Sequence, residues 1–538
     1  MFDLLIRQVQ VFDGTGGEPF IADVGVRQGR IALVGSSHGE PATRRIDGGG
    51  LALAPGFIDM HSHADLTLPA FPQARNSIQQ GVTTEVVGNC GFSAAPVVEE
   101  QAEELRRYVH GFGPYLDWTW ATFGEYLDTL DRRQPAVNVV ALVGHSALRI
   151  AAVGMEDRPA RPVEFERMAN LLRQSLEGGA WGMSSGLVYP PSNFADTSEL
   201  IALGHVLAER DAMYFSHIRG EGPTLLDSLA EAATIGAETG IRIQVSHLKA
   251  SGVAAWGAMP AAVTSLDAAR ARGVRLHADA YPYTAGSTYL SQLLPSWVFD
   301  GGIEALVGRL RVQEQRDRIQ ADMQQGNPAV IHRQIEFNKV QITATVQERN
   351  RRWEGVMLDR AAEASGKKPY DFLFDLLADE NAGTVMVLFI MQEADVQRSL
   401  AWQHTAIGSD LLGVFSDTSR VHPRAYGTFA RVLGHYARDE SLFPLQEAVR
   451  KMTGLPAAIL GLKDRGLVKE GYVADLAVFE PERVLDRATY EQPTLAPAGI
   501  EFVTVNGRVV VEPSGFNGER VGRTLRPATD AVPVTPRS

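Results

Sequence analysis

The sequence predicts an α/β fold: a (β/α)8 TIM-type barrel with a small β-sandwich domain built from both chain ends and an inserted subdomain. Three observations predict it. Short apolar runs alternate with helical stretches through the middle of the chain, as in a barrel. Both ends carry period-two apolarity broken by Gly-rich turns, as in antiparallel strands. The chain has 538 residues, well beyond a single barrel of roughly 250, so other units must accompany it.

In chain order, residues 3–12, 22–27 and 30–35 read as strands. Residues 472–513 repeat that style, with Asn506-Gly507 as a hairpin turn. Chain ends often meet in space, so 1–55 and 461–515 are joined into one β domain. The barrel occupies 56–460, with strands expected at 56–63, 83–89, 136–144, 181–186, 213–217, 241–247, 274–280 and 405–410. Helices are expected at 162–177 and 225–239. The gap of roughly 120 residues before strand eight is too long for one connection. It therefore holds the inserted subdomain, at about 290–352, with a helix at 304–325. Residues 359–377 read as the barrel helix preceding strand eight, and 516–538, rich in Pro, Gly and Arg, as a surface arm.

Composition removes several function classes. Hydrophobic residues at 45% and charged residues at 21% describe a globular chain. The net charge of −13 is opposite to the basic footprint of a nucleic-acid binder, so no nucleic-acid partner is expected. A single cysteine, Cys90, excludes an internal disulfide and any need for an oxidising compartment. The start of the chain, charged at Asp3 and Arg7, lacks the basic-then-apolar order of a signal segment. The longest charge-free run, 280–299, contains Pro282, Gln292, Pro295 and many hydroxyls, which argues against a membrane span. A cytoplasmic protein without a membrane partner is expected.

Barrels place working residues at the C-terminal ends of their strands. There the chain offers His61 and His63 after strand one, Cys90 after strand two, His217 and His247 after strands five and six, and Asp410 after strand eight. Four of the 13 histidines, a thiol and a carboxylate thus meet on one rim, the ligand types of Zn²⁺. Singly, each has a plainer reading: a core or solvated histidine, a core cysteine, or a helix N-cap for Asp410. Their joint occurrence at strand ends reads as a metal centre. His38, His110, His205 and His332 read as structural or surface residues, and His145 as structural or adjacent to the site.

At these residues the sequence resembles a known family. The run Pro55-Gly-Phe-Ile-Asp-Met-His-Ser-His-Ala-Asp65 is similar to the first-strand signature of the amidohydrolase superfamily. Gly81-Val-Thr-Thr-Glu-Val-Val-Gly-Asn-Cys-Gly-Phe-Ser93, Gly182-Met-Ser-Ser-Gly-Leu-Val-Tyr-Pro-Pro191, Ser216-His-Ile-Arg-Gly-Glu221, Val245-Ser-His-Leu-Lys249, Asp279-Ala-Tyr-Pro-Tyr-Thr-Ala-Gly286 and His422-Pro-Arg424 resemble the N-acyl-D-amino-acid deacylases, or D-aminoacylases. The resemblance spans residues 1–515.

The resemblance implies zinc-dependent hydrolysis of N-acyl-D-amino acids, small-molecule substrates. It implies a tightly held zinc on Cys90, His217 and His247, and a second, weaker or empty site on His61, His63 and Asp410; one metal or two stays open. Many amidohydrolases bridge two metals with a carboxylated lysine. The first lysine of this chain is Lys249, so that route is closed for the first five strands and Cys90 is the substitute. Asp410 is expected to act as general base and then general acid. The substrate carboxylate calls for a cation. Lys249 and Arg424 are the candidates, with plainer readings as a solvated lysine and an ion pair; the resemblance adds Tyr189, Tyr283 and Ser287. Residues 388–392 read as an apolar pocket wall favouring hydrophobic side chains. The competing readings are a cyclic-amide hydrolase of the hydantoinase or dihydroorotase type, and a non-catalytic scaffold on the same fold. A homo-oligomer is left open.

Overall fold

The computed structural model describes residues 1–325, 336–414 and 419–527. Eight short strands form the barrel: Phe57–Asp59, Val82–Val87, Asn138–Ala141 continued by Val143–Gly144, Gly182–Gly186, Met213–His217, Arg242–Val245, Leu276–Ala280 and Thr405–Ile407. Neighbours pair in parallel. The third and fourth are joined by Trp181 N to Ala141 O, at 2.9 Å. Strand eight closes on strand one through Met60 N to Ile407 O (3.1 Å) and Asp410 N to His61 O (2.7 Å). Strands covered on both faces carry unbroken apolar or small residues rather than alternation. Every residue of Val82–Val87, Gly182–Gly186 and Met213–His217 is buried. Ile58, Met60, Val140, Met213 and Phe215 share one core cluster with Leu455 and Leu460 of the helix Gly454–Leu460.

The helices expected at 162–177 and 225–239 are present as Pro162–Glu177 and Leu225–Thr239. The first starts with Pro at its first turn, where a missing N–H costs nothing. The second ends at Gly240 in the left-handed region (φ +69°).

The two chain ends meet, as expected. Their β-sandwich is realised as one connected nine-stranded sheet. In it Ala52–Pro55 pairs with Phe2–Val11 on one side and with Leu476–Phe479 on the other. Strands Ile500–Val505 and Arg508–Glu512 form the hairpin at Asn506-Gly507, both with positive φ (+50° and +80°), as a two-residue turn requires.

Three stretches differ from expectation. Residues 359–377 are not the helix that precedes strand eight. They form two helices, Leu358–Ser365 and Pro369–Asp379, broken where Gly366 turns left-handed (φ +71°) ahead of Pro369. The helix before strand eight is Glu393–Ala401. Likewise 304–325 divides into Gly302–Leu310 and Gln313–Gln325. Between strands seven and eight lies an antiparallel sheet of Ala285–Tyr289, Val385–Phe389 and Val340–Ala344, two of whose members fall outside 290–352. The arm expected beyond 516 does not project up to residue 527. It straps strand three: Val139 N donates to Arg523 O (2.9 Å), Leu525 N to Val139 O (2.7 Å), and Thr524 N and Oγ1 to Asp131. His332 and residues 528–538 lie outside the described residues. Among the described residues no helix is long and apolar enough to cross a membrane.

Candidate metal centre and cavity

The six residues singled out at the strand ends converge. Cys90 Sγ lies 3.3 Å from His61 Nε2 and 3.4 Å from His247 Nε2. His247 Nε2 lies 3.0 Å from His217 Nδ1. Asp410 Oδ1 is 3.4 Å from His61 Nε2 and 3.2 Å from His63 Nε2. Two donor sets result, His61/His63/Cys90/Asp410 and Cys90/His217/His247, and the thiol belongs to both. All six residues are buried. Thiol, imidazole and carboxylate donors within 4.8 Å of one another and away from water fit a zinc ion. Without one, this much buried polarity is costly.

The backbone is bent to bring them there. Cys90, His247 and Asp410 all have positive φ (+54°, +36° and +51°), a region few non-glycine residues occupy. Such residues cost of order 1–3 kcal/mol each and persist only where their surroundings over-determine them. The turn carrying Cys90 is over-determined by Gly88 (φ +77°), where a Cβ would strike the Leu142 carbonyl oxygen, and Gly91 (φ +78°), where it would meet Gly186 N at 2.9 Å. Asp59 ties two ligand loops together. It accepts from His61 N (3.1 Å), Ser409 N (2.8 Å) and Ser409 Oγ. Burial and the nearby Glu85 push its carboxyl up to about 8.

Two carboxylates that sequence reasoning passed over hold the histidines. Asp279 accepts from His247 N (2.8 Å) and Gln244 Nε2 (2.9 Å), and its Oδ1 lies 3.0 Å from His61 Nδ1. Glu221 Oε1 lies 3.1 Å from His247 Nδ1 and 3.4 Å from His217 Nε2. Both residues stood inside quoted motifs, but with 64 acidic residues in the chain, nothing in one dimension says which turn inward. Burial lowers the His217 and His247 pKa values well below the ordinary range, leaving both rings in the neutral, ligating form.

The remaining expected site residues divide. Arg424 is buried, with Nη1 2.8 Å from Asp410 Oδ2, Nη2 donating to Ser287 O (3.2 Å), and the guanidinium 4.7 Å from the Tyr281 ring centroid. Its Nε and Nη1 make no aligned hydrogen bond. Burial alone would raise the Asp410 pKa, but Arg424 and His61 hold it well below the usual carboxylate range. Lys249 Nζ is 2.5 Å from Glu221 Oε1 and 2.8 Å from His247 Nδ1. Tyr189 borders the cavity over the metal donors, its hydroxyl 3.0 Å from Thr288 Oγ1, and Ser287 borders it too. Tyr283 does not: its hydroxyl donates to Asp486 (3.4 Å) and Arg431 covers its ring, and it is Tyr281, two residues earlier, that joins Tyr189 at the cavity. Phe92, Phe112, Leu388, Ile390 and Leu412 form the apolar part of the wall. His145 is fully buried between Ser192 Oγ and Glu199 Oε1 (both 2.9 Å), behind the Cys90 turn and away from the cavity.

Comparison with known proteins adds three findings. A profile described as the Amidohydrolase family matches residues 44–511. A D-aminoacylase of Alcaligenes xylosoxydans xylosoxydans is 38% identical over 524 residues, 97% of each chain. Two solved structures superpose on nearly the whole length. One, of a D-aminoacylase described by its binuclear metal centre, has a TM-score of 0.83 at 38% identity, covering 98% of this chain and 100% of that one. The other, an N-acyl-D-glutamate deacylase from Bordetella bronchiseptica complexed with zinc and a phosphonate mimic of the tetrahedral intermediate, has a TM-score of 0.81 at 34% identity and the same coverage.

Proposed function

The chain belongs to the amidohydrolase family, on its D-aminoacylase branch, and from that premise we propose that it is a zinc-dependent hydrolase of N-acyl-D-amino acids, releasing a carboxylate and the free D-amino acid. The observation that carries the reading is the buried donor cluster joined through Cys90, with the Arg424 guanidinium beside it.

Cys90, His217 and His247 would hold the tightly bound zinc, and His61, His63 and Asp410 would furnish a second, weaker set. When bound, zinc supplies the Lewis acidity that activates a water and polarises an amide carbonyl. Asp410, ionised at neutral pH, takes the proton from the attacking water and returns it to the leaving nitrogen. Arg424, its Nε without a hydrogen bond and its Nη1 beside Asp410 Oδ2, receives the substrate carboxylate, assisted by Ser287 and the tyrosines at the wall. The apolar wall favours neutral, hydrophobic D-side chains over acidic ones.

The decisive assay is a panel of N-acetyl-D- and N-acetyl-L-amino acids, with and without added zinc. Turnover is expected for the D-forms, greatest for Leu- or Met-like side chains, and lost on chelation. Hydrolysis of L-forms only, or of none, would overturn the proposal. Arg424→Ala is expected to raise KM for N-acyl amino acids at least tenfold, on the scale of a lost charge-assisted pair of about 1.5–3 kcal/mol, and to leave KM for amides without a carboxylate little changed. An equal effect on both substrate types would remove Arg424 from carboxylate binding.

A further inference from the structure

The geometry points to Glu221 as the positioning residue of the zinc site: one buried carboxylate that fixes the ring orientation and tautomer of both histidines that hold the tightly bound ion. The inference rests on the metal centre read above and adds a residue to it.

His247 turns Nε2 toward the donors, 3.4 Å from Cys90 Sγ and 3.0 Å from His217 Nδ1. His217 turns Nδ1 toward them. The two rings therefore present opposite nitrogens to the ion, and each must carry its hydrogen on the far nitrogen. Those far nitrogens, His247 Nδ1 and His217 Nε2, face a single atom, Glu221 Oε1, at 3.1 and 3.4 Å. His217 Nε2 is buried and has no aligned hydrogen bond. Glu221 Oε1 is the carboxylate oxygen within reach of both far nitrogens, close enough to accept from each once the ion fixes the rings. Ligating imidazoles regularly donate to a carboxylate in this way, and loss of that partner costs 10–100-fold in metal affinity.

Lys249 completes the arrangement. Its Nζ, 2.8 Å from His247 Nδ1, cannot donate to a nitrogen that already bears hydrogen. Its available acceptors are Glu221 Oε1 and the His247 carbonyl oxygen (3.4 Å). The ammonium thus holds the carboxylate in place, and the carboxylate holds the two rings. The bond from Ser251 N to Glu221 O (2.7 Å) fixes the loop from behind.

A plainer account is that Glu221 only neutralises a buried lysine. Zinc affinity separates the two. Full-length wild type, Glu221→Gln, Lys249→Met and the double variant would be titrated with zinc against a chromophoric chelator, with the thermal midpoint of each apoprotein recorded. Glu221→Gln is expected to weaken zinc 10–100-fold, Lys249→Met by less than that, and the double variant as much as Glu221→Gln although no lysine is left unpaired. A double variant that binds zinc as tightly as wild type would overturn the inference. Wild type that binds no zinc would sink the metal centre itself, a different result. Should Glu221→Gln not fold, nitrogen-15 spectra of the zinc-loaded wild type still decide: the protons on His247 Nδ1 and His217 Nε2 are each expected at the low-field shift of a hydrogen bond to a carboxylate, and an ordinary N–H shift at either refutes the assignment.

Discussion

Asp410→Asn is expected to lower kcat by about 10²–10⁴-fold, the contribution of a positioned general acid–base. The substitution is close to isosteric and suits the backbone, because asparagine is among the residues that tolerate the left-handed φ of +51° found there. The fold is therefore expected to persist, and the loss falls on chemistry. Asparagine cannot take a proton from water or return one to the departing nitrogen, and an unprotonated amine leaves poorly. Zinc on the proposed set of Cys90, His217 and His247 should remain near wild-type occupancy. The measurement is steady-state hydrolysis of an N-acetyl-D-amino acid alongside metal analysis of the same sample. A variant retaining wild-type kcat would show that Asp410 moves no proton.

Cys90→Ala is expected to lose zinc and activity together. The thiol is common to both donor sets, so its loss leaves two histidines in one and disrupts the other. The expected fall in zinc affinity exceeds the 10–100-fold seen for residues that only support ligands. The wild type carries a further signature. Burial pushes the Cys90 thiol up to about 11, against the opposing pull of His61, so at neutral pH the apoprotein holds a proton that zinc must displace. Zinc affinity should then rise by about tenfold per pH unit through the neutral range, and Cys90→Ala should lose that slope. Full zinc occupancy in Cys90→Ala would return the residue to the role of a core filler.

The convergence of these side chains on one rim was legible because barrel topology converts sequence position into spatial position. Each of His61, Cys90, His217, His247 and Asp410 follows a short apolar run, and runs of that kind end on the same face. Glu221 and Asp279 were not legible, because an acidic residue gains meaning only from what it faces. Tyr281 and Tyr283 show a subtler limit. Two residues apart, they would share a face in an extended strand. The strand ends at Ala280 and Pro282 intervenes, so one ring lies beneath Arg424 and the other beneath Arg431. The helix before strand eight was misplaced for a similar reason: helical periodicity in 359–377 was real, but an antiparallel strand follows it, and Val385–Phe389 carries the same apolar signal as a barrel strand.

The nine-stranded sheet has a consequence for the birth of the molecule. Ala52–Pro55, wholly buried in the finished protein, waits for Leu476–Phe479 to emerge some 400 residues later. At ribosomal rates of about 5–20 residues per second, that edge stays unpaired for roughly 20–80 s while the barrel forms beside it. An unpaired apolar edge is a template for association with other nascent chains. Yield in a foreign host should therefore depend more on translation speed and holdase supply than on the stability of the completed enzyme.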